Sequence, residues 1–359
     1  MKRAITIIIG YLWLAHAMAM SVAFLNYGKQ EEAYWRSASR AMQAAADDLG
    51  ITLEISYAER KQQRMVAEAQ ALAARPPAKR PDYVIFSNDF ALGAELLPIL
   101  DGAGIKTFMA FSGRGDDVSL GLPRQRYRLW LGSLDPDAEQ AGYLTTRSLI
   151  QQARARRPAA GKYELLAIGG DPVTPSSVRR SDGMRRAARE AGDVELVTEV
   201  YAAWDQARAQ QQAGWLFQRH PAPDMLWAGN DLMAFGAMQA WAECCTTRGQ
   251  GPLFSAINTS DQAMQALADG RLAALAGGHF MTGAIALVML YDHWRGKDFA
   301  DLGLEQTLPV FMLFDARTAK RFMQRFKGAD YASIDFRRYS RVLNPARKQY
   351  SFAFGPLLR

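Results

Sequence analysis

Two segments of the chain end in the same polar pair. Pro81-Asp-Tyr-Val-Ile-Phe-Ser-Asn-Asp89 and Pro223-Asp-Met-Leu-Trp-Ala-Gly-Asn-Asp231 agree in length, in their opening Pro-Asp and in their closing Asn-Asp. Each reads as a short apolar strand running at once into a helix, which puts each Asn-Asp at the carboxyl end of a parallel strand. Ligands bind outside that edge of open parallel sheets, and the echo implies two similar lobes that each present it. Asn88 and Asn230 are therefore expected to face each other across a cleft. Asn and Asp also cap helices. Capping is assigned to the Asp of each pair, which leaves the Asn amides, with both donors and an acceptor, free for a ligand.

Catalytic spacing is missing from the rest of the chain. The sequence holds no Gly-x-Ser-x-Gly elbow, no phosphate-cradling glycine loop and no paired carboxylates that can be placed together, so the chain is not expected to be an enzyme. Its four histidines are scattered and form no ligand-spaced cluster, so neither a metal nor another cofactor is expected. Cys244 and Cys245 are adjacent, and neighbouring cysteines pair only with strained geometry. Two buried thiols or an adventitious pair are expected there, with no structural staple. The formal charge of +7 comes from arginines spread along the chain, among them Arg154, Arg156, Arg157, Arg185, Arg186 and Arg189. At helical spacing these make a solvated face, and no nucleic-acid partner is expected.

Positioning such a cleft takes a large scaffold, and the sequence supplies one. Met1-Lys2-Arg3, an apolar run from Ala4 to Ala15 and small residues at Ala17 and Ala19 make the pattern of a secretory signal peptide over residues 1–19. The run is shorter than the roughly 20 apolar residues of a spanning helix, so export to the periplasm is expected. About 340 residues remain, more than one core usually takes, and two domains follow. With 49% hydrophobic and 22% charged residues, the composition is that of an ordinary globular protein.

Short β-rich runs alternate with longer amphipathic stretches. Strands are expected at Val22–Asn26, Thr52–Tyr57, Asp82–Ser87, Ile105–Ala110, Leu129–Ser133, Tyr163–Ile168, Glu195–Tyr201, Met225–Ala228, Leu253–Ile257 and Leu272–Ala276, with helices between them. That alternation means an α/β fold of two similar Rossmann-like lobes with parallel sheets and right-handed crossovers. The chain is expected to cross between lobes near Ser133, where Asp135 caps a helix with Pro136 in its first turn, near Gly277-Gly278, and within 307–313. The N-terminal lobe is then 20–133 plus 279–306, the C-terminal lobe 134–278 plus 307–314. An arginine-aromatic extension, 315–359, is left without a place.

With these elements set out, the chain resembles the type I periplasmic binding proteins, close to the ribose and galactose binders and to relatives that serve autoinducer-2 and sensor kinases. The resemblance rests on Tyr34-Trp35 opening the first helix, Asp135-Pro-Asp-Ala-Glu-Gln-Ala-Gly142, Arg179-Arg-Ser-Asp-Gly183, Ala203-Trp-Asp205, Gly229-Asn-Asp231 and Asp269-Gly-Arg-Leu272 leading to Gly277-Gly278. It implies that Tyr34, Trp35 and Trp204 hold a sugar-like ring between aromatic faces, that Arg180 offers its fork of donors to vicinal hydroxyls or an anion, and that Asn230 adds an amide. The chain departs from the family where an Asp-Arg pair is common: it reads Phe111-Ser112-Gly113. A later family aspartate is Asn258 and the hinge glutamine is Gly277, with His279 able to replace a lost polar contact. The implied function is a monomeric solute receptor that closes on a small polar, sugar-like ligand, neutral or anionic, and hands it to a membrane ABC permease. The alternative is a sensory subunit docking on a receptor kinase or cyclase.

Overall fold

The computed structural model describes residues 19–158, 161–246 and 250–358; nearly all of the expected signal peptide lies outside them. In chain order, β1 (Ser21–Asn26), α1 (Ala33–Leu49), β2 (Thr52–Tyr57), α2 (Gln62–Ala73), β3 (Tyr83–Phe86), α3 (Gly93–Gly102), β4 (Lys106–Ala110) and β5 (Trp130–Pro136) build a first α/β unit. A second follows with α4 (Ala138–Arg156), β6 (Tyr163–Gly169), α5 (Pro175–Ala191), β7 (Val194–Tyr201), α6 (Gln206–Arg219), β8 (Met225–Ala228), α7 (Asp231–Cys244), β9 (Leu253–Ile257), α8 (Asp261–Ala268) and β10 (Ala274–Gly277). The chain then returns through α9 (Thr282–Trp294) and β11 (Glu305–Leu308) to the first sheet and through β12 (Met312–Phe314) to the second, ending in α10 (Ala316–Arg325) and an irregular tail.

Both sheets have six strands, in the orders β11-β5-β4-β3-β1-β2 and β12-β10-β9-β8-β6-β7. Every pairing is parallel except that of β12 with β10. The central strands β3, β8 and β9 are buried along their whole length, as parallel strands covered on both faces must be. The first sheet reaches further than the sequence suggested: β5 runs past Ser133 to Pro136, with Asp135 paired to Thr307 of β11. Asp135 therefore does not cap α4. Asp137 does, accepting from the Gln140 N–H at 3.1 Å.

Helices α4 and α5 lie in close contact because each carries a glycine where they meet. A methyl on Gly142 would overlap the carbonyl oxygen of Arg180, and one on Gly183 that of Glu139. This approach fixes the height of α5, and with it the side chain of Arg180.

The 315–359 extension is packed tightly across both units. Asp315 caps α10 reciprocally with Thr318, and α10 lies on α8. Beyond it, Phe326 and Tyr331 join Phe322, Phe354 and Phe280 in one aromatic cluster. The chain then crosses to α1 and α9, where Asp48 accepts from the Phe336 N–H at 2.7 Å. In α9, the fully buried Asp292 accepts from Ser340 Oγ, the Arg341 and Val342 N–H groups and the Tyr350 hydroxyl.

Of the two alternatives left open for the cysteines, the structure shows the bonded pair. Cys244 and Cys245 are bonded to each other, and Cys244 is exposed while Cys245 is buried. Helix α7 ends at Cys244 and Cys245 leaves helical dihedrals, with φ −136° and ψ 3°.

Candidate functional site

Every residue around a cavity between the two sheets lies beyond the carboxyl end of a strand, in the loop or the first turns of the helix that follows it. Glu32, Tyr34 and Trp35 follow β1, Arg60 follows β2, Ser87 and Asp89 follow β3, and Phe111 follows β4. From the second sheet come Ser176 and Arg180 after β6, Trp204 after β7, Asn230 after β8 and Asn258 after β9, with His279 after β10. Backbone strain gathers at the same edge. Of the nine non-glycine residues with positive φ among the described residues, seven lie in these loops: Glu59, Arg60, Phe90, Ala91, Phe111, Ala203 and Trp204. Such outliers cost free energy and mark functional sites when they cluster.

The first sheet contributes an aromatic wall. Trp35 meets Tyr34 edge-on at 4.8 Å and Phe111 at 5.4 Å between ring centres. Tyr34 stacks on His279 at 4.5 Å, and His279 on Phe311 at 4.8 Å, so one column of rings runs from α1 through the chain crossing after β10. His279 is 2% exposed, and burial, with the nearby Arg180 charge, holds its pKa well below the usual value. Its imidazole is therefore neutral at physiological pH. Beside this wall Arg60 grips Glu32 with two bonds of 3.0 and 2.5 Å.

The second sheet contributes charge and amides. Arg180 is 6% exposed; its Nη1 donates to the Gly229 carbonyl at 2.7 Å and its guanidinium lies 5.3 Å from the Trp204 ring. Burial lowers its pKa to about 10, against the opposing pull of Tyr34, Asp231 and Asp89. Trp204 Nε1 donates to Asp171 at 2.9 Å, fixing the plane of the indole. Asn258 Nδ2 and Ser260 Oγ both donate to the buried Asp231 carboxylate, at 2.8 and 2.5 Å.

Of the nine residues chosen from the sequence, seven meet at this cavity: Tyr34, Trp35, Arg180, Trp204, Asn230, Asn258 and His279. Two do not. Asn88 spends its amide on neighbouring backbone, donating to the Gly113 carbonyl after β4 at 3.0 Å and accepting from the Gly93 N–H at the start of α3 at 2.7 Å. Ser112 lines a neighbouring cavity with Asp135, and its hydroxyl accepts from the Ser176 N–H of the second unit at 3.2 Å. The expected division of labour within Asn-Asp is thus reversed in the first unit only; in the second, Asn230 lines the cavity as expected, while Asp231 holds Asn258 and Ser260. Asn230 caps α7 by accepting from the Met233 N–H at 2.9 Å, Asn88 braces the start of α3, and it is Asp89 that faces the cavity.

Sequence reading missed Asp89, Glu32 and Arg60. Asp89 was set aside as a cap, whereas Arg60 had a usable signal in its place directly after β2. Among the described residues no cluster of three His, Cys, Asp or Glu side chains is arranged to hold a metal ion, and no helix is long and apolar enough to cross a membrane.

The family model described as "Periplasmic binding protein domain" matches residues 22–298. A periplasmic sugar-binding protein from Pseudomonas fluorescens is 37% identical, with a TM-score of 0.83 over 95% of this chain and all of that one. A solute-binding protein from Actinobacillus succinogenes, solved with bound D-allose, shares the fold at 18% identity and a TM-score of 0.71, covering 84% of this chain and 99% of that one. The D-allose-binding periplasmic protein of Escherichia coli is 32% identical over 84 residues, which is 23% of this chain and only 27% of that protein. With two α/β units, a cavity between their strand ends and a matched span that includes all the cavity residues, the chain belongs to the periplasmic binding protein family, in its type I, sugar-binding branch.

Proposed function

We propose that this protein is a periplasmic solute receptor, without catalytic activity, that closes its two lobes on one small polar, sugar-like ligand and delivers it to an ABC-type transporter. One observation carries the reading. Of eleven buried side-chain polar atoms without a hydrogen-bond partner among the described residues, four gather at one place: Asp89 Oδ2, Arg180 Nε, Asn258 Oδ1 and His279 Nδ1. All four belong to residues of one cavity, and they come from both lobes and from the crossing between them. Buried polar groups are otherwise almost always paired. A ring with several hydroxyls would satisfy them together, its apolar faces against the aromatic wall. The relatives solved with D-allose and myo-inositol carry ligands of that kind.

The lobes touch at the cavity mouth. Thr174 Oγ1 accepts from the Phe90 N–H at 3.2 Å, and an exposed Arg179–Asp116 pair lies at 2.9 Å. In this reading these contacts belong to the closed form, hinged after Pro136, Gly277 and Leu308. A ligand that bonds both lobes favours closure by its differential affinity for the two states. Native mass spectrometry of protein purified from the periplasm is expected to show one retained small molecule per chain. After its removal, rebinding is expected to lower the radius of gyration and change tryptophan emission together, and Trp204→Ala to mute the emission change. A preparation without bound small molecule that also fails to respond to sugars and polyols speaks against the receptor reading.

A further inference from the structure

Asp89 is the buried acceptor that the family comparison in the sequence left missing, and it comes from a different strand. It is 8% exposed, it lies on the turn after β3, and Oδ2 has no partner. We propose, resting on the receptor reading above, that Asp89 selects the ligand: its ionised carboxylate accepts from the hydroxyls of an uncharged polyol and excludes the acidic relatives of the same sugars.

The charges around it support that choice. Arg60 reaches Asp89 from the loop after β2 but is neutralised by Glu32 from the start of α1. Asp171, from the loop after β6, acts on Asp89 with the same sign while its own oxygens are held by Trp204 Nε1 and the Val173 and Thr174 N–H groups. Tyr27 and Tyr34 face the same space, both with phenols that burial keeps protonated. Arg180 opposite is the one cation here without an acidic partner at bonding distance. Asp89 and Arg180 together are neutral, so an anionic ligand would place an uncompensated negative charge beside Asp89, Asp171 and Glu32.

Burial raises the Asp89 pKa to about 6, with Asp171 and Glu32 adding to the effect. Hydroxyl donors from a ligand stabilise the ionised form and pull that value back down, so binding releases a proton wherever the empty protein is partly protonated. Affinity is then expected to fall as pH drops below about 6. In the empty protein the sign is opposite to the usual carboxylate. A pKa raised on folding favours the folded state while the group is protonated, and that contribution is lost as pH rises through about 6. Asp89→Asn is therefore expected to raise the melting temperature of the empty protein most at pH 8, by less at pH 5, and hardly at all once pH falls below the unfolded value of 3.8.

The test is calorimetric titration of wild type and Asp89→Asn from pH 5 to 8 with D-allose and myo-inositol as neutral probes and D-glucuronate and D-gluconate as acidic ones. Expected are one-to-one binding of a neutral probe, about 30-fold weaker binding by Asp89→Asn, and a wild-type affinity that declines toward tenfold per pH unit below 6, a slope the variant lacks. A sugar acid that binds better than the neutral probes overturns the inference and leaves the receptor reading standing. So does a variant that binds like wild type, or one that melts lower at pH 8 and so reveals a purely structural Asp89. If none of the four probes binds wild type, the polyol reading of the site and this inference fail together.

Discussion

Arg180→Ala is expected to weaken ligand binding by about ten- to 150-fold, the equivalent of the 1.5–3 kcal/mol typical of hydrogen bonds to a charged group, with little loss of stability. The guanidinium is almost wholly buried, one nitrogen is tied to the Gly229 carbonyl, and Nε points to no protein acceptor. The Gly229 carbonyl, the Trp204 ring and the charges of Asp231 and Asp89 offset only part of the cost of burying that charge, in keeping with its depressed pKa. The remainder is left for the ligand. The neighbouring Arg179→Ala is the control, because its partner Asp116 is highly exposed and such pairs contribute little. Affinities measured in parallel for the two variants decide the matter: equal losses, or none for Arg180→Ala, would remove Arg180 from the site. Lysine is not expected to rescue, since a point charge does not reproduce the planar fork stacked on Trp204.

Deleting residues 315–359 is expected to abolish soluble, cooperative folding. The segment buries Phe322, Phe326, Tyr331, Ile334, Phe336, Tyr350, Phe352, Phe354 and Leu358. At about 1.5–3 kcal/mol for each large apolar side chain, their burial outweighs the roughly 5–15 kcal/mol of net stability common to folded proteins. Deletion would also strip Asp292 of all four donors that the extension supplies. A milder variant isolates that last effect. Tyr350→Phe removes one donor to a buried carboxylate and is expected to cost about 1.5–3 kcal/mol, read as a lowered urea midpoint at unchanged slope. A soluble truncated protein with wild-type stability would show that the extension is an appendage.

Periodicity made the scaffold readable. β2, β8 and β9 fall where the β-rich runs of the sequence put them, as do α1 and α8, because short apolar strands and long amphipathic helices leave distinct patterns. The repeated Asn-Asp pointed to the sheet edge that borders the cavity, yet at β3 it is Asp89 that lines it, while Asn88 is held by the Gly113 carbonyl and the Gly93 N–H. Local pattern cannot tell a capping Asn from a free one, since both need only a strand end and a helix start. Arg60 and Glu32 were overlooked because their partnership spans α1 and β2 and exists only once the sheet has formed. The extension lacked any repeat of its own, and its aromatic residues acquire a place from Phe280 and the faces of α1, α8 and α9.

The claim on which the rest depends is that one ligand is gripped from both lobes, and a crystal structure of the protein with its bound polyol tests it most directly. The expected density fills the cavity between Tyr34 and Trp204, with hydroxyls against Asp89 on one side and Arg180 and Asn230 on the other. A ligand that touches residues of one lobe only, or that lies outside this cavity, would contradict the account.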